Sequence, residues 1–222
     1  MYFSARREPD GIGSRDLKAA LTELDRFTRA RDPKDLSHVQ FMSEVANRRF
    51  MQLLYARLLI FSEFLQIASE QPGGITDKHK GRWLLLQVAP ETLAGSDIFI
   101  EIYIASNAAN FTDLQAHCHD LLVRIERLIN CRPVCVIDEA QIPLRSLHGW
   151  FRSSEDQPAP VLRHIIKTWT MADQPRSLRI IVSGTGVSMR ALEKVRTSTV
   201  AKEGGIKPRT ILDLGAFDVE ER

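Results

Sequence analysis

The stretch RPVCVIDEAQ, residues 132–141, decides how the rest of the chain is interpreted. Four apolar residues, 134–137, run directly into two adjacent carboxylates, Asp138 and Glu139. A short apolar run of this kind is typical of a fully buried strand, such as those of a parallel sheet. An ordinary core strand has no use for two like charges at its end. A site that holds a divalent cation and activates a water has a use for both.

The composition allows one large domain with a sizeable core. Of the 222 residues, 44% are hydrophobic and 26% are charged, and the net charge of +2 does not point to nucleic acid. The three cysteines lack a metal-site spacing such as CxxC, which predicts reduced thiols in an intracellular compartment; they are Cys118, Cys131 and Cys135. Charged residues follow Met1 closely and no secretory signal is recognisable, so we expect an intracellular location in the cytoplasm or nucleus.

The most hydrophobic segment, residues 53–68, carries Arg57 and Glu63. It is shorter than the roughly 20 residues needed to cross a bilayer. The segment therefore predicts a buried helix and no membrane contact.

Apolar spacing and turn residues divide the chain into helices and strands. Helices are predicted from a cap at Ser14 or Asp16 to Pro33, and over 39–69, 112–130, 161–172 and 187–195. Strands are predicted at 2–5, 82–90, 134–138, 178–183 and 210–214, and the alternating isoleucines of 98–104 favour a strand over a helix. Residues 141–160 are expected to be irregular. Helices alternating with apolar strands imply a parallel α/β sheet with its chemistry at the strands' carboxyl ends.

Asp138 and Glu139 would emerge together at that edge of the sheet. In nucleotide hydrolases with this pattern, called Walker B, the first carboxylate orients Mg²⁺ through its water shell, and the second polarises the attacking water. Asp138 is therefore the candidate metal and catalytic carboxylate, and Glu139 is the candidate base. The alternative is a strand that reaches the surface, with a carboxylate pair that only caps the next turn.

A second apolar run, RIIVSGTG at 179–186, ends in small polar residues about 45 positions after Asp138. This gap accommodates one crossover helix, as a neighbouring parallel strand requires. Ser183 and Thr185 would then lie beside Glu139 and could sense the γ-phosphate or hold the lytic water. The alternative is a tight turn built from serine and glycine.

Other candidates carry weaker patterns. Arg152 and Arg190 are candidate arginine fingers; the alternative for Arg152 is solvated surface or a contact with a partner. The segment HCHD at 117–120 does not favour a metal site, because adjacent helical residues point in different directions. The basic segment 193–209 lacks interleaved aromatic residues, so single-stranded nucleic-acid binding is not predicted.

Several of these segments together resemble the P-loop NTPase module of Crinkler-type proteins in fungi, which are related to large AAA+/STAND-type NTPases. The segments are VCVIDEAQ, FRSS, PVLRHII, IIVSGTGVS, RWLLLQVAPE and DIF. The resemblance runs from about Tyr2 to Phe217 and is most specific at 133–141 and 180–188. It implies a three-layer parallel sheet flanked by helices, and ATP or GTP hydrolysis with Mg²⁺, used as a switch. In that family the module is often fused to a nuclease-like or other effector domain.

One departure from the family pattern is important. No GxxxxGK[ST] phosphate loop occurs in the sequence, and in the resembling proteins this loop precedes the segment matching residues 2–14. We therefore expect residues 1–217 to be a partial P-loop domain with Walker B and sensor parts, and 218–222 to be a shortened tail. Without the loop's backbone N–H groups and lysine, most triphosphate binding should be lost. The rival interpretation is a non-enzymatic scaffold that binds a protein partner or itself.

Overall fold

The computed structural model describes residues 1–5, 12–29, 31–152, 157–173 and 178–184. The helices of these residues are α1 (Asp16–Thr28), α2 (Leu36–Ser69), α3 (Asp77–Val88), α4 (Pro90–Ala94), α5 (Ile98–Ala105), α6 (Phe111–Ile129), α7 (Gln141–Arg145) and α8 (Val161–Met171). The strands are β1 (Tyr2–Ser4), β2 (Val134–Asp138), β3 (Phe151–Arg152), β4 (Pro158–Ala159) and β5 (Arg179–Val182). The predicted segments 187–195 and 210–214 lie outside the described residues.

A small parallel sheet of three strands has the order β1-β2-β5. Val134 lies opposite Arg179 and Ile137 opposite Val182, so the predicted parallel pairing of β2 with β5 is confirmed. On the other side of β2, Ser4 lies opposite Asp138. A short antiparallel pair, β3 with β4, falls within the segment 141–160 that was expected to be irregular. The fold is therefore helix-rich with a small parallel sheet. This agrees with the predicted mixture of helices and parallel strands, whereas the three-layer P-loop architecture stays a prediction.

One face of the sheet belongs to the core. Cys135 and Ile137 are fully buried on this face of β2, and the ring of Phe3 on β1 lies 4.4 Å from the ring of Trp169 on α8. The alternate residues of β2 are only half-buried, and Ile181 on β5 is 53% exposed. The described residues thus cover one face more completely than the other.

Helix α2 is the centre of the helical layer and packs against α1, α5, α6 and α8. It begins after Asp35, whose carboxylate accepts the Ser37 N–H at 2.8 Å. Among the described helices it is the one long and apolar enough to cross a membrane, but 61% of its most apolar 18-residue window is buried inside the protein. The prediction of a buried helix here is confirmed.

Helix α1 begins at Asp16, close to the predicted start. Neither predicted residue is its N-cap: that residue is Arg15, which makes no side-chain capping bond. Ser14 instead accepts the Asp16 N–H at 3.1 Å. The Asp16 carboxylate accepts its neighbour's N–H, from Leu17, at 2.7 Å and is otherwise bound by Arg57 of α2.

The predicted strand at 82–90 is wrong, because most of this segment is the end of α3. Trp83 and Gln87 are buried four residues apart, as on one face of a helix, whereas Leu84 and Leu85 are more than half exposed. The start of α3 is fixed by a capping box that Thr76 forms with His79.

The strand favoured at 98–104 is also wrong, because this segment forms α5. Phe99 and Tyr103 are its buried residues, again four positions apart, and Ile104 is exposed. Asp97 caps the helix by accepting the Ile100 N–H at 3.4 Å. The alternating isoleucines therefore reflect a helix that is apolar around most of its surface, with only one face fully covered.

Candidate functional site

The carboxyl ends of the three parallel strands meet at one edge of the sheet. Asp138 ends β2, Ser4 ends β1 on one side, and Ser183 follows β5 on the other. The pairing continues past β5, because the Ser183 N–H donates to the Ile137 carbonyl at 2.9 Å. The predicted meeting of Asp138 and Ser183 at the same edge is confirmed.

The Asp138 carboxylate is held by three neutral donors. Its Oδ1 accepts the Ser183 hydroxyl at 2.8 Å and the Glu139 N–H at 2.9 Å. Its Oδ2 accepts the Tyr2 hydroxyl at 2.7 Å. Burial acts to raise the pKa of Asp138, but the hydrogen bonds from Tyr2, Ser183 and the Glu139 N–H outweigh it and hold that pKa below its usual value. The carboxylate is therefore ionised and fixed in orientation at neutral pH.

Asp138 has no cationic partner within the described part of the chain. Among the residues that the structure describes, its negative charge is stabilised by hydrogen bonds and is not neutralised by a lysine, arginine or histidine. Mg²⁺ usually keeps several waters and is bound through one or two carboxylates together with substrate phosphates. A fixed, half-buried carboxylate with an unbalanced charge fits that requirement, so the residues present suit the metal that the sequence predicts.

Glu139 turns the chain from β2 towards α7. Its φ of 54° lies in the left-handed region, which costs a residue with a side chain about 1–2 kcal/mol. The turn is closed by two backbone bonds, from the Ala140 N–H to the Ser183 carbonyl and from the Ile142 N–H to the Glu139 carbonyl, each 2.9 Å. The Glu139 carboxylate accepts a hydrogen bond from the side-chain amide of Gln141. Residues held in sparsely populated backbone conformations cluster at functional sites.

Tyr2 belongs to the same site but was missed by the sequence analysis. Its backbone N–H donates to the buried side-chain oxygen of Gln87 at 2.7 Å, which ties β1 to α3. Burial raises the pKa of the Tyr2 phenol to about 12, and the hydrogen bond to Asp138 adds to this effect. Strand alternation puts Tyr2 and Ser4 on one face of β1, and the pairing with β2 shows that this is the face of Asp138.

Gly13 packs directly on Tyr2 and has a φ of +103°. A methyl group at this position would lie 2.9 Å from the Ser4 Cβ and 3.1 Å from the edge of the Tyr2 ring. Its N–H donates to the Val88 carbonyl at 2.8 Å, which anchors the loop to the end of α3. Only glycine therefore allows the backbone to approach the ring this closely.

The remaining predicted residues are Thr185, Arg190 and Arg152. Thr185 and Arg190 lie outside the described residues. Arg152 lies on β3, where its guanidinium donates to the Pro33 carbonyl at 3.5 Å, and its role as an arginine finger stays a prediction. No group of three or more potential metal ligands occurs among the described histidines, cysteines and acidic residues. His117 instead packs beside Tyr55.

Comparisons with protein-family models, with curated proteins and with solved structures gave no match to this chain. The resemblance to Crinkler-type NTPase modules therefore rests on the sequence segments alone.

Proposed function

We propose that this chain supplies the Walker B and sensor part of an intracellular nucleoside-triphosphatase switch module, of the kind found in Crinkler-like proteins. The observation that carries the proposal is the bond from Ser183 to Asp138 across two adjacent parallel strands. It joins the two polar strand ends that such a module uses for metal and phosphate. The ionised state of Asp138 and its lack of a cationic partner among the described residues support the same conclusion.

Each residue has a distinct task in this proposal. Asp138 would hold Mg²⁺ through the metal's water shell, and the metal would offset the negative charge of the phosphates. Glu139 holds and polarises the attacking water, and its left-handed backbone directs the residue away from the line of β2. Ser183 keeps Asp138 in place and is the candidate γ-phosphate sensor, together with Thr185. The nucleotide is ATP or GTP.

A second candidate function is supported by a different observation. The sequence contains no GxxxxGK[ST], so the chain lacks the element that supplies most triphosphate affinity in P-loop proteins. A scaffold that keeps the sheet but has lost nucleotide chemistry, and that binds a protein partner or itself, would have this pattern.

The first test uses the chain as it stands. We expect its affinity for Mg–ATP to be weaker than millimolar, which corresponds to a binding free energy of about −4 kcal/mol. Isothermal titration calorimetry measures it directly. Micromolar binding without a phosphate loop would show that the nucleotide binds at a different site from the one proposed.

The second test uses the chain extended at its N-terminus by a supplied segment that carries a GxxxxGK[ST] phosphate loop. Glu139→Gln should lower turnover by about 10²–10⁴-fold, or roughly 3–5 kcal/mol of barrier, and leave nucleotide binding nearly intact. Asp138→Asn should weaken both Mg²⁺-dependent binding and turnover, because it removes the charge that faces the metal's water shell.

Glu101→Gln, on the exposed side of α5, is a matched control that removes a carboxylate elsewhere on the surface. Near-normal hydrolysis by Glu139→Gln would show that the carboxylate pair forms a structural turn and does not take part in catalysis. An extended wild-type chain that neither binds nor hydrolyses nucleotide would favour the scaffold.

A further inference from the structure

We propose that Tyr2 is a positioning residue of this site: its hydroxyl and that of Ser183 fix the Asp138 carboxylate from opposite sides and leave one direction on Oδ2 for a water of the metal. The inference rests on the proposed function and extends it to the first strand of the sheet. Tyr2 does not touch the reacting atoms in this arrangement. It acts through Asp138.

The first step in the argument counts acceptor positions. An ionised carboxylate offers about four lone-pair directions, two on each oxygen. Oδ1 of Asp138 uses both of its directions, for the Ser183 hydroxyl and the Glu139 N–H. Oδ2 uses one for Tyr2. Within the described ranges no other donor uses Oδ2, so one direction remains on the oxygen whose orientation Tyr2 sets.

The second step is that Tyr2 is itself held firmly. Pairing with Val136 fixes its strand, Gln87 holds its backbone N–H, and Gly13 lies against the edge of its ring. A phenylalanine would fill the same space against Gly13. The hydroxyl is therefore the part of the side chain with a separate task, and its bond to Oδ2 is that task.

The contact between the Tyr2 hydroxyl and Asp138 would also fit an opposite role, in which Tyr2 competes with the metal. If the phenol occupied the place of the metal's water, it would compete with Mg²⁺, and removing the hydroxyl would strengthen metal binding. The free direction on Oδ2 favours positioning over competition. The two roles predict changes of opposite sign, so a single substitution separates them.

The first experiment does not depend on nucleotide chemistry. The side-chain carboxyl carbon of Asp138 is titrated by ¹³C NMR in the wild-type chain, in Tyr2→Phe and in Tyr103→Phe. The last is a matched control, because the Tyr103 hydroxyl also donates to a carboxylate, that of Glu23, at 2.9 Å. Tyr2→Phe should raise the pKa of Asp138 and Tyr103→Phe should leave it unchanged. An unchanged Asp138 titration in Tyr2→Phe would overturn the proposal.

The second experiment titrates each protein with Mg²⁺ alone and follows the amide signals of Glu139 and Ala140. Loss of one hydrogen bond to the charged carboxylate should weaken the apparent Mg²⁺ affinity of Tyr2→Phe by about three- to tenfold, with unchanged affinity in Tyr103→Phe. Equal or tighter binding by Tyr2→Phe overturns the positioning role.

The failure of the proposed function would be distinguishable from the failure of this inference. If the Glu139 and Ala140 signals of the wild-type chain do not respond to Mg²⁺, a metal-binding role of Asp138 is excluded, both in the proposed function and in this inference. The Asp138 titration then still decides whether Tyr2 fixes the carboxylate. Thermal unfolding of Tyr2→Phe checks that the fold is retained, and Ser183→Ala, which removes the hydroxyl on the other oxygen, should raise the pKa of Asp138 in the same direction.

Discussion

Asp16 and Asp138 are both tied to neighbouring elements by short hydrogen bonds. Asp16 is paired with a cationic side chain, whereas the described donors to Asp138 are all neutral. Asp16 is fully buried, and its two oxygens accept from Arg57 Nε at 2.7 Å and Nη2 at 2.9 Å. The Arg57 guanidinium carbon lies 3.9 Å from the centre of the Phe99 ring and 4.9 Å from that of Phe3. This pair is neutral as a unit and is enclosed by aromatic rings.

Asp138 is only half-buried and is bound by two hydroxyls and one backbone N–H. None of these donors carries a charge, so the carboxylate keeps its full negative charge at the edge of the sheet. The comparison teaches that a buried aspartate with an arginine belongs to the structure, whereas an oriented aspartate without one remains able to attract a cation.

The largest effect on stability is expected when the Asp16 pair is broken. Arg57→Met leaves Asp16 buried without its partner and should lower the free energy of unfolding by about 3–5 kcal/mol. Asp138→Asn, which removes a half-exposed charge and keeps the shape, should cost about 1 kcal/mol. Urea unfolding of both variants measures the difference. A double variant, Asp16→Leu with Arg57→Met, should recover much of the loss, and equal costs for the two single variants would contradict the comparison.

The next expected effect is on the titration of Tyr2. Asp138→Asn should move the pKa of the phenol from about 12 towards 10, although the part due to burial remains. Because this pKa is raised in the folded state, its contribution to stability is complete below pH 10 and is lost as the pH rises towards 12. The variant should therefore lose less stability over this range.

¹³C NMR of labelled tyrosine resolves the three phenols. Glu23→Gln is the control, because burial and the Glu23 carboxylate raise the pKa of Tyr103 rather than that of Tyr2. A Tyr2 titration that is the same in wild type and Asp138→Asn would show that the 2.7 Å contact does not persist in solution.

The smallest expected effect concerns the backbone at Glu139. Since its φ is positive, Glu139→Gly should be more stable than Glu139→Ala by about 1 kcal/mol. At Glu101, on the exposed side of α5, the order should reverse, because alanine is the better helix former by about 1 kcal/mol. Thermal unfolding of the four variants tests both orders, and the same order at both positions would remove the argument for strain.

The sequence was sufficient to predict the strand pair that carries the site. Two apolar runs that end in polar residues, separated by room for one helix, have few arrangements other than adjacent parallel strands. The position of Ser183 beside Asp138 followed from that pairing. Local periodicity likewise predicted the long helix α2, because its apolar residues recur with helical spacing over 34 positions.

The sequence was insufficient where a segment is apolar around most of its surface. Residues 82–90 and 98–104 have apolar runs that suit a strand or a helix, and tertiary packing decides between them. The buried pairs Trp83 with Gln87 and Phe99 with Tyr103 show the helical spacing, but only once burial is known. The capping residues Thr76 and Asp97 were the local signals that favoured helices.

Tyr2 could not be assigned to the site from the sequence, because its partner is 136 positions away. Strand alternation gives the face on which Tyr2 lies, but not the strand beside it. The role of Gly13 depends on the same missing information, since a positive φ and a close approach to a ring are visible only in three dimensions.

The separation between β1 and β2 also has a consequence during synthesis. At about 5–20 residues per second, a ribosome needs roughly 7–27 s to reach Asp138 after it has added Tyr2. Helices α1 and α2 are complete long before then, because their hydrogen bonds are local. During that interval β1 lacks its strand partner β2 and the Trp169 ring that packs on Phe3, and the edge of the sheet that carries Asp138 is assembled late. A nascent chain shortened before residue 134 should therefore expose Phe3, and chaperones that bind apolar segments would find it there.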